Sequence, residues 1–163
     1  MPFVPFADRF PDLANDETRW LVVPDGAEIG LPPDEYGFMD MYCDDKGCDC
    51  RRVFFSVLAT RNPGIKAVIT WGWEGRSFYQ RWLGSGDKKM IDGLKGPCLD
   101  ISSSQSDVAK SLLKFFKDVM LEDQDYVERI KRHYAMFRKS VACEHMGKSP
   151  TKRRTLRKVR KST

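Results

Sequence analysis

The chain has 163 residues, 41% of them hydrophobic, with ten Phe, four Trp and a formal net charge of +5. That length supports one domain with a tail and a real core, and the aromatic content excludes a disordered chain. No apolar run approaches the roughly 18–20 residues of a membrane span, and Met1-Pro2-Phe3-Val4-Pro5-Phe6 lacks the basic-then-apolar order of a signal peptide, so a reducing, cytoplasmic setting with no membrane partner is the expectation.

Residues 1–36 carry Pro2, Pro5, Pro11, Pro24, Pro32 and Pro33 and read as an irregular wrap. One short strand, Trp20-Leu21-Val22-Val23, is closed there by the turn signal Pro24-Asp25-Gly26. Residues 37–146 form the body. Gly37 to Cys43 reads as a strand entering a cysteine-rich loop, and Val53-Phe54-Phe55-Ser56-Val57-Leu58-Ala59 as a second strand leaving it. After the turn Asn62-Pro63-Gly64, Ile65 to Trp71 passes the same composition test for a third strand. Ser77 to Leu83 has helical spacing, whereas Gly84, Gly86, Gly93 and Gly96 mark a long loop with a short strand at Cys98-Leu99-Asp100-Ile101.

The last third of the body is helical in pattern. Val108, Leu112, Phe115, Phe116 and Val119 fall on one face behind a Ser104 cap, and Val127, Ile130, Tyr134, Phe137 and Val141 form a second stripe opened by an Asp125/Glu128 capping box. The expected fold class is α+β: an antiparallel meander of three to four strands packed on a C-terminal helical hairpin.

The strongest chemical signal is Tyr42-Cys43-Asp44-Asp45-Lys46-Gly47-Cys48-Asp49-Cys50-Arg51-Arg52, where three of the five cysteines fall within eight residues. Thiolates hold soft ions, and a turn at Lys46-Gly47 can bring Cys43, Cys48 and Cys50 to one zinc about 2.3 Å from each sulfur. An iron–sulfur cluster, a redox thiol pair or inert buried cysteines are the alternatives. A structural zinc needs a fourth ligand, for which Cys98, His133, Cys143 and His145 are the candidates. His133 lies between Ile130 and Phe137 on the apolar stripe, points inward, and is the expected ligand.

Tyr42-Cys43-x4-Cys48-Asp49-Cys50-Arg51-Arg52-Val53, with Trp71-Gly72-Trp73-Glu74 and Arg132-His133-Tyr134-Ala135-Met136-Phe137, resembles a group of small uncharacterised bacterial proteins. Some of these end in a further zinc-binding motif of the SEC-C type. The resemblance spans roughly residues 30–140 and implies functional roles for Cys43, Cys48, Cys50 and His133. It supplies no activity, and Cys143-Glu144-His145 with a basic tail stands where a full SEC-C pattern would be.

Residues 147–163 read as a disordered basic tail. It holds eight of the 28 bases and no acid, which leaves 20 bases against 23 acids, a net −3, in residues 1–146. Lys152, Arg153, Arg154, Arg157, Lys158, Arg160 and Lys161 have the make-up of a nucleic-acid-binding arm or of an incidental polycation. No phosphate-binding, dinucleotide-binding or hydrolase motif is present. The Gly84-Ser85-Gly86-Asp87-Lys88-Lys89 run reads as a surface loop, and Trp71, Trp73, Tyr79 and Trp82 as core more readily than as a stacking platform for bases. The sequence thus points to a metal-binding module of unassigned process, and in second place to a thiol- or metal-dependent enzyme using the same loop.

Overall fold

The computed structural model describes residues 3–147. It is α+β, with six antiparallel strands where the sequence suggested three or four: β1 (Phe3–Pro5), β2 (Arg19–Val23), β3 (Asp34–Cys43), β4 (Arg52–Ala59), β5 (Gly64–Gly72) and β6 (Cys98–Leu99). The helices are α1 (Pro11–Glu17), α2 (Arg76–Leu83), α3 (Lys88–Lys95), α4 (Ala109–Phe115) and α5 (Gln124–Gly147).

Strand β3 runs down the middle of this arrangement. On one edge it pairs with β4, and β5 and β6 follow in order. On its other edge β2 pairs with residues 34–38 and β1 with residues 41–43, so two short strands fill it end to end. The expectation of an irregular N-terminal wrap is corrected here. A ten-residue strand exposes a row of backbone donors and acceptors that the N-terminal segment covers. Its prolines sit where regular structure accepts them: Pro5 on the edge strand and Pro11 in the first turn of α1.

Alternation assigns the faces. Tyr36, Phe38, Asp40 and Tyr42 of β3, Val53, Phe55 and Val57 of β4, and Ala67, Ile69 and Trp71 of β5 are buried together. Leu112, Phe116 and Met120, with Tyr126, Val127, Ile130, Phe137 and Val141 of α5, supply the helical side of the core. The Phe116 ring lies 5.0 Å from that of Phe55 and 6.3 Å from that of Phe38.

Local details differ from the pattern-based expectation. Residues Phe116–Met120 form a widened, π-type turn closed by Leu121 N–H to the Phe116 carbonyl, 3.0 Å. The extra residue per turn turns Met120 into the core and leaves Val119 43% exposed. α4 begins at Ala109 without a side-chain cap, so Ser104 plays no such part. Asp123, not Asp125, caps α5, accepting from Tyr126 N–H at 3.2 Å. The glycine-rich loop contains α3, whose first turn donates Lys89 and Met90 N–H to the Asp87 carboxylate.

Candidate metal centre

The cysteine loop hangs from the end of the β3–β4 pair, whose last register pair is Met41 with Phe54. Cys43 ends β3 opposite Phe3 of β1, and Cys50 lies two positions before Arg52, the first residue of β4. Between them Cys48 N–H donates to the Asp45 carbonyl at 3.2 Å, with Gly47 at φ 72° in the turn position that calls for glycine. Arg51, at φ 48°, adopts a left-handed conformation without being glycine.

Two helices hold that shape. From α5, Arg138 donates to the Cys43 carbonyl at 2.7 Å and to the Asp45 carbonyl at 2.8 Å, while the Tyr134 hydroxyl accepts from Arg51 N–H at 3.3 Å. From α2, the Tyr79 hydroxyl donates to the Arg51 carbonyl at 2.8 Å. The hydroxyl fits because residue 72 is glycine; a Cβ there would overlap the Tyr79 phenol. The Arg51 guanidinium reaches Asp49 and Glu74 and lies over the Phe78 ring, 4.7 Å from its centre.

The result is a preformed cluster: the sulfurs of Cys43, Cys48 and Cys50 all lie within 4.8 Å of one another. Such a cluster can hold a metal ion. Cys43 and Cys50 are fully buried and Cys48 is half-buried. Burial pushes the Cys43 thiol up to about 11, and the neighbouring Cys48 sulfur adds to it, against the pull of the Asp45 N–H on the sulfur. Burial likewise pushes Cys50 up to about 12, helped by Cys48 and Cys43 and opposed by the Arg52 N–H. Two backbone donors therefore face these sulfurs, each from the second residue along, and would stabilise them as thiolates once an ion supplied the missing positive charge.

His133 is not in that cluster. It is buried on the inner stripe of α5, as its position between Ile130 and Phe137 requires, but both ring nitrogens are engaged elsewhere. Nδ1 lies 2.7 Å from an Asp40 oxygen and Nε2 lies 2.6 Å from a Glu17 oxygen, with Phe6 stacked on the ring at 4.0 Å. The expected fourth ligand is thus part of a second polar centre that no motif marked. Asp40 also accepts from the Tyr42 hydroxyl at 2.8 Å, and Glu17 pairs with Arg132 at 2.7 Å. The Arg132 hydrogen bond holds the Glu17 carboxyl below its ordinary range; burial opposes this, and the His133 contact adds to it. Asp40 was legible in principle: it falls on the core face between Phe38 and Tyr42, where an acid demands a partner. Glu17 carried no comparable signal.

The other candidates separate as well. Cys98 lies on β6, its sulfur 3.3 Å from the Thr70 hydroxyl. Cys143 is exposed on α5, and among the described side chains no carboxylate or histidine joins the three sulfurs. Beside Cys48 opens a groove of about 460 Å³ lined by Lys46, Gly47, Arg138, Val141, Ala142 and Met146. Trp71 and Tyr79 are buried, and Trp73 packs edge-on against Tyr134 at 5.0 Å, as core aromatics do. The basic residues Lys152, Arg153, Arg154, Arg157, Lys158, Arg160 and Lys161 lie outside the described residues. Among the described residues no helix is long and apolar enough to cross a membrane. No family model, curated protein or solved structure matches this chain.

Proposed function

We propose that this chain is a zinc-binding module in which one ion, held by Cys43, Cys48 and Cys50, staples the β3–β4 loop to the body. The observation that carries this reading is the mutual approach of the three sulfurs to within 4.8 Å. In a tetrahedral zinc site with Zn–S bonds of about 2.3 Å the sulfurs stand about 3.8 Å apart, so a small closing movement completes the site. Zinc is favoured over a four-cysteine iron–sulfur cluster because one loop supplies only three thiolates. The module's output is an interaction, with residues 148–161 as an arm for nucleic acid phosphates; the charge asymmetry between tail and body supports that part.

The competing reading is a thiol- or metal-dependent enzyme using the same loop. The groove beside Cys48 favours it, because catalytic zinc keeps one position open. The raised thiols oppose its thiol-dependent form, since a protonated buried thiol is a poor nucleophile.

Metal analysis of the full chain purified without chelator tests the zinc reading: about one zinc per chain is expected, and a preparation without stoichiometric metal that takes up none on titration ends it. For the tail, the chain truncated after Gly147 should lose duplex DNA binding. The full chain should prefer duplex DNA to heparin at about 150 mM salt, where incidental contacts are screened. Equal DNA binding by both chains would remove the tail from the account.

A further inference from the structure

A second groove, of about 390 Å³, runs between α3 and the β6 edge of the sheet. That volume lies near the lower end of the ~300–1,000 Å³ of small-ligand pockets. Arg52 and Thr70 alternate with the core residues Val53 and Ile69 along β4 and β5, so they reach this groove from the other face of the sheet. Arg52 is only 7% exposed. Its guanidinium carbon lies over the Phe54 ring, 5.3 Å from the centre, and its Nε donates to the Leu94 carbonyl at 2.8 Å. Among the described residues Nη1 and Nη2 have no hydrogen-bond partner, and no carboxylate pairs with the group. Arg19, Arg51 and Arg132 are all more exposed, yet each is paired with an acid. Asp100, the acid among the residues lining the groove, accepts from the Ser103 hydroxyl at 2.6 Å instead. A buried charge without a counter-charge is costly, and an anion entering the groove would relieve that cost.

We propose that this groove binds a small monocarboxylate with an apolar body, its carboxylate on Nη1 and Nη2 of Arg52. The guanidinium fork matches a planar carboxylate with two parallel hydrogen bonds. Leu83, Met90, Leu94, Leu99 and Ile101 supply the surface for the apolar body. Met90 is 52% exposed and Ile101 fully exposed, so a ligand lying there removes apolar area from water. Lys89 adds a positive charge to the same lining, whereas Asp100 disfavours a dianion such as a phosphate monoester. The site goes beyond the metal reading and does not depend on it.

The test is isothermal titration of the full chain with octanoate and with 4-phenylbutyrate, one linear and one aromatic acid. Saturable binding of at least one, with a Kd of about 1 mM or tighter, is expected. The matching amide has the same shape without the charge and should bind at least about tenfold more weakly, as should the acid to Arg52→Met, because hydrogen bonds to a charged group are lost. Met90→Asp changes an exposed position and sets a like charge against the carboxylate; it should weaken the acid as well, and it carries the test if Arg52→Met does not fold. Acid and amide bound alike, an unchanged affinity in the folded variants, or no saturable binding of either acid overturns the proposal. Tighter binding of octyl phosphate than of octanoate overturns the monocarboxylate assignment.

Discussion

Two buried polar centres join β3 to α5, and they are built in opposite ways. At Asp40, His133 and Glu17 each charged or polar group meets a protein partner: both imidazole nitrogens face carboxylates, Asp40 takes the Tyr42 hydroxyl as well, and Arg132 covers Glu17. At the end of the same strand, Cys43 meets Cys48 and Cys50 of the loop that follows; backbone donors face two of the sulfurs, and among the described residues no histidine or carboxylate joins them. The first centre is complete within the chain. The second is a cluster of three sulfurs that could hold a metal ion, and that difference separates the two centres.

The largest effect should come from removing the ion. Structural zinc contributes on the order of 10 kcal/mol of apparent binding free energy. Chelation or Cys48→Ser should therefore lower the melting temperature sharply, and excess zinc should restore the first but not the second. A chain equally stable with and without chelator would break the comparison at its root.

His133→Ala attacks the self-sufficient centre. It strips one hydrogen-bond partner each from Asp40 and Glu17, which keep Tyr42 and Arg132, and about 1–3 kcal/mol of destabilisation is expected from the buried hydrogen bonds lost. Its zinc content, measured on the folded protein, should stay that of the parent. A loss of zinc from His133→Ala with the fold retained would merge the two centres and return His133 to the ligand set.

The pH dependence should separate the centres in direction. Glu17 is held below its ordinary value of 4.5, so its contribution is present above that value and fades as pH falls below it. The metal-free Cys43 and Cys50 thiols are raised from 9.0 to about 11 and about 12. Their contribution is full below pH 9 and fades as pH rises toward those values. Zinc should invert the second slope, because the ion needs thiolates and protons compete for them as pH falls. Urea midpoints across pH, with zinc and with chelator, check both signs; loss of stability on the same side of neutrality with and without zinc would count against thiolate ligation.

The smallest effect tests the boundary of the first centre. Tyr126 is buried under β4, and among the described residues its hydroxyl has no hydrogen-bond partner. Tyr126→Phe removes an unsatisfied polar atom without changing shape, so a change within about 1 kcal/mol, neutral or stabilising, is expected in chemical denaturation. A clear loss of stability would mean that the hydroxyl belongs to the Asp40 network after all.

Most of the body was legible because it depends on local pattern. β-Branched and aromatic runs marked β4 and β5, period-3.6 burial marked α5 from Val127 to Val141, and the Cys43–Cys50 spacing marked the loop, all within short windows of chain. The N-terminal segment was misjudged because its order comes from a distant edge: Val4 pairs with Tyr42 and Leu21 with Tyr36, neighbours that no window near either residue reveals. Met120 replaced Val119 in the core because a widened turn adds a residue that an ideal helical period does not count.

The same division runs through the site. The sequence by itself determined that three thiols share one short loop and that His133 turns inward, since cysteine spacing and helical phase are properties of the chain alone. Only the tertiary structure decided what His133 meets. Asp40 is 93 residues away and Glu17 is 116, and their approach depends on how β3, α1 and α5 dock. Tertiary packing also gave the sulfurs their burial, and with it the raised thiols, because desolvation depends on everything packed around a group and not on its neighbours in sequence.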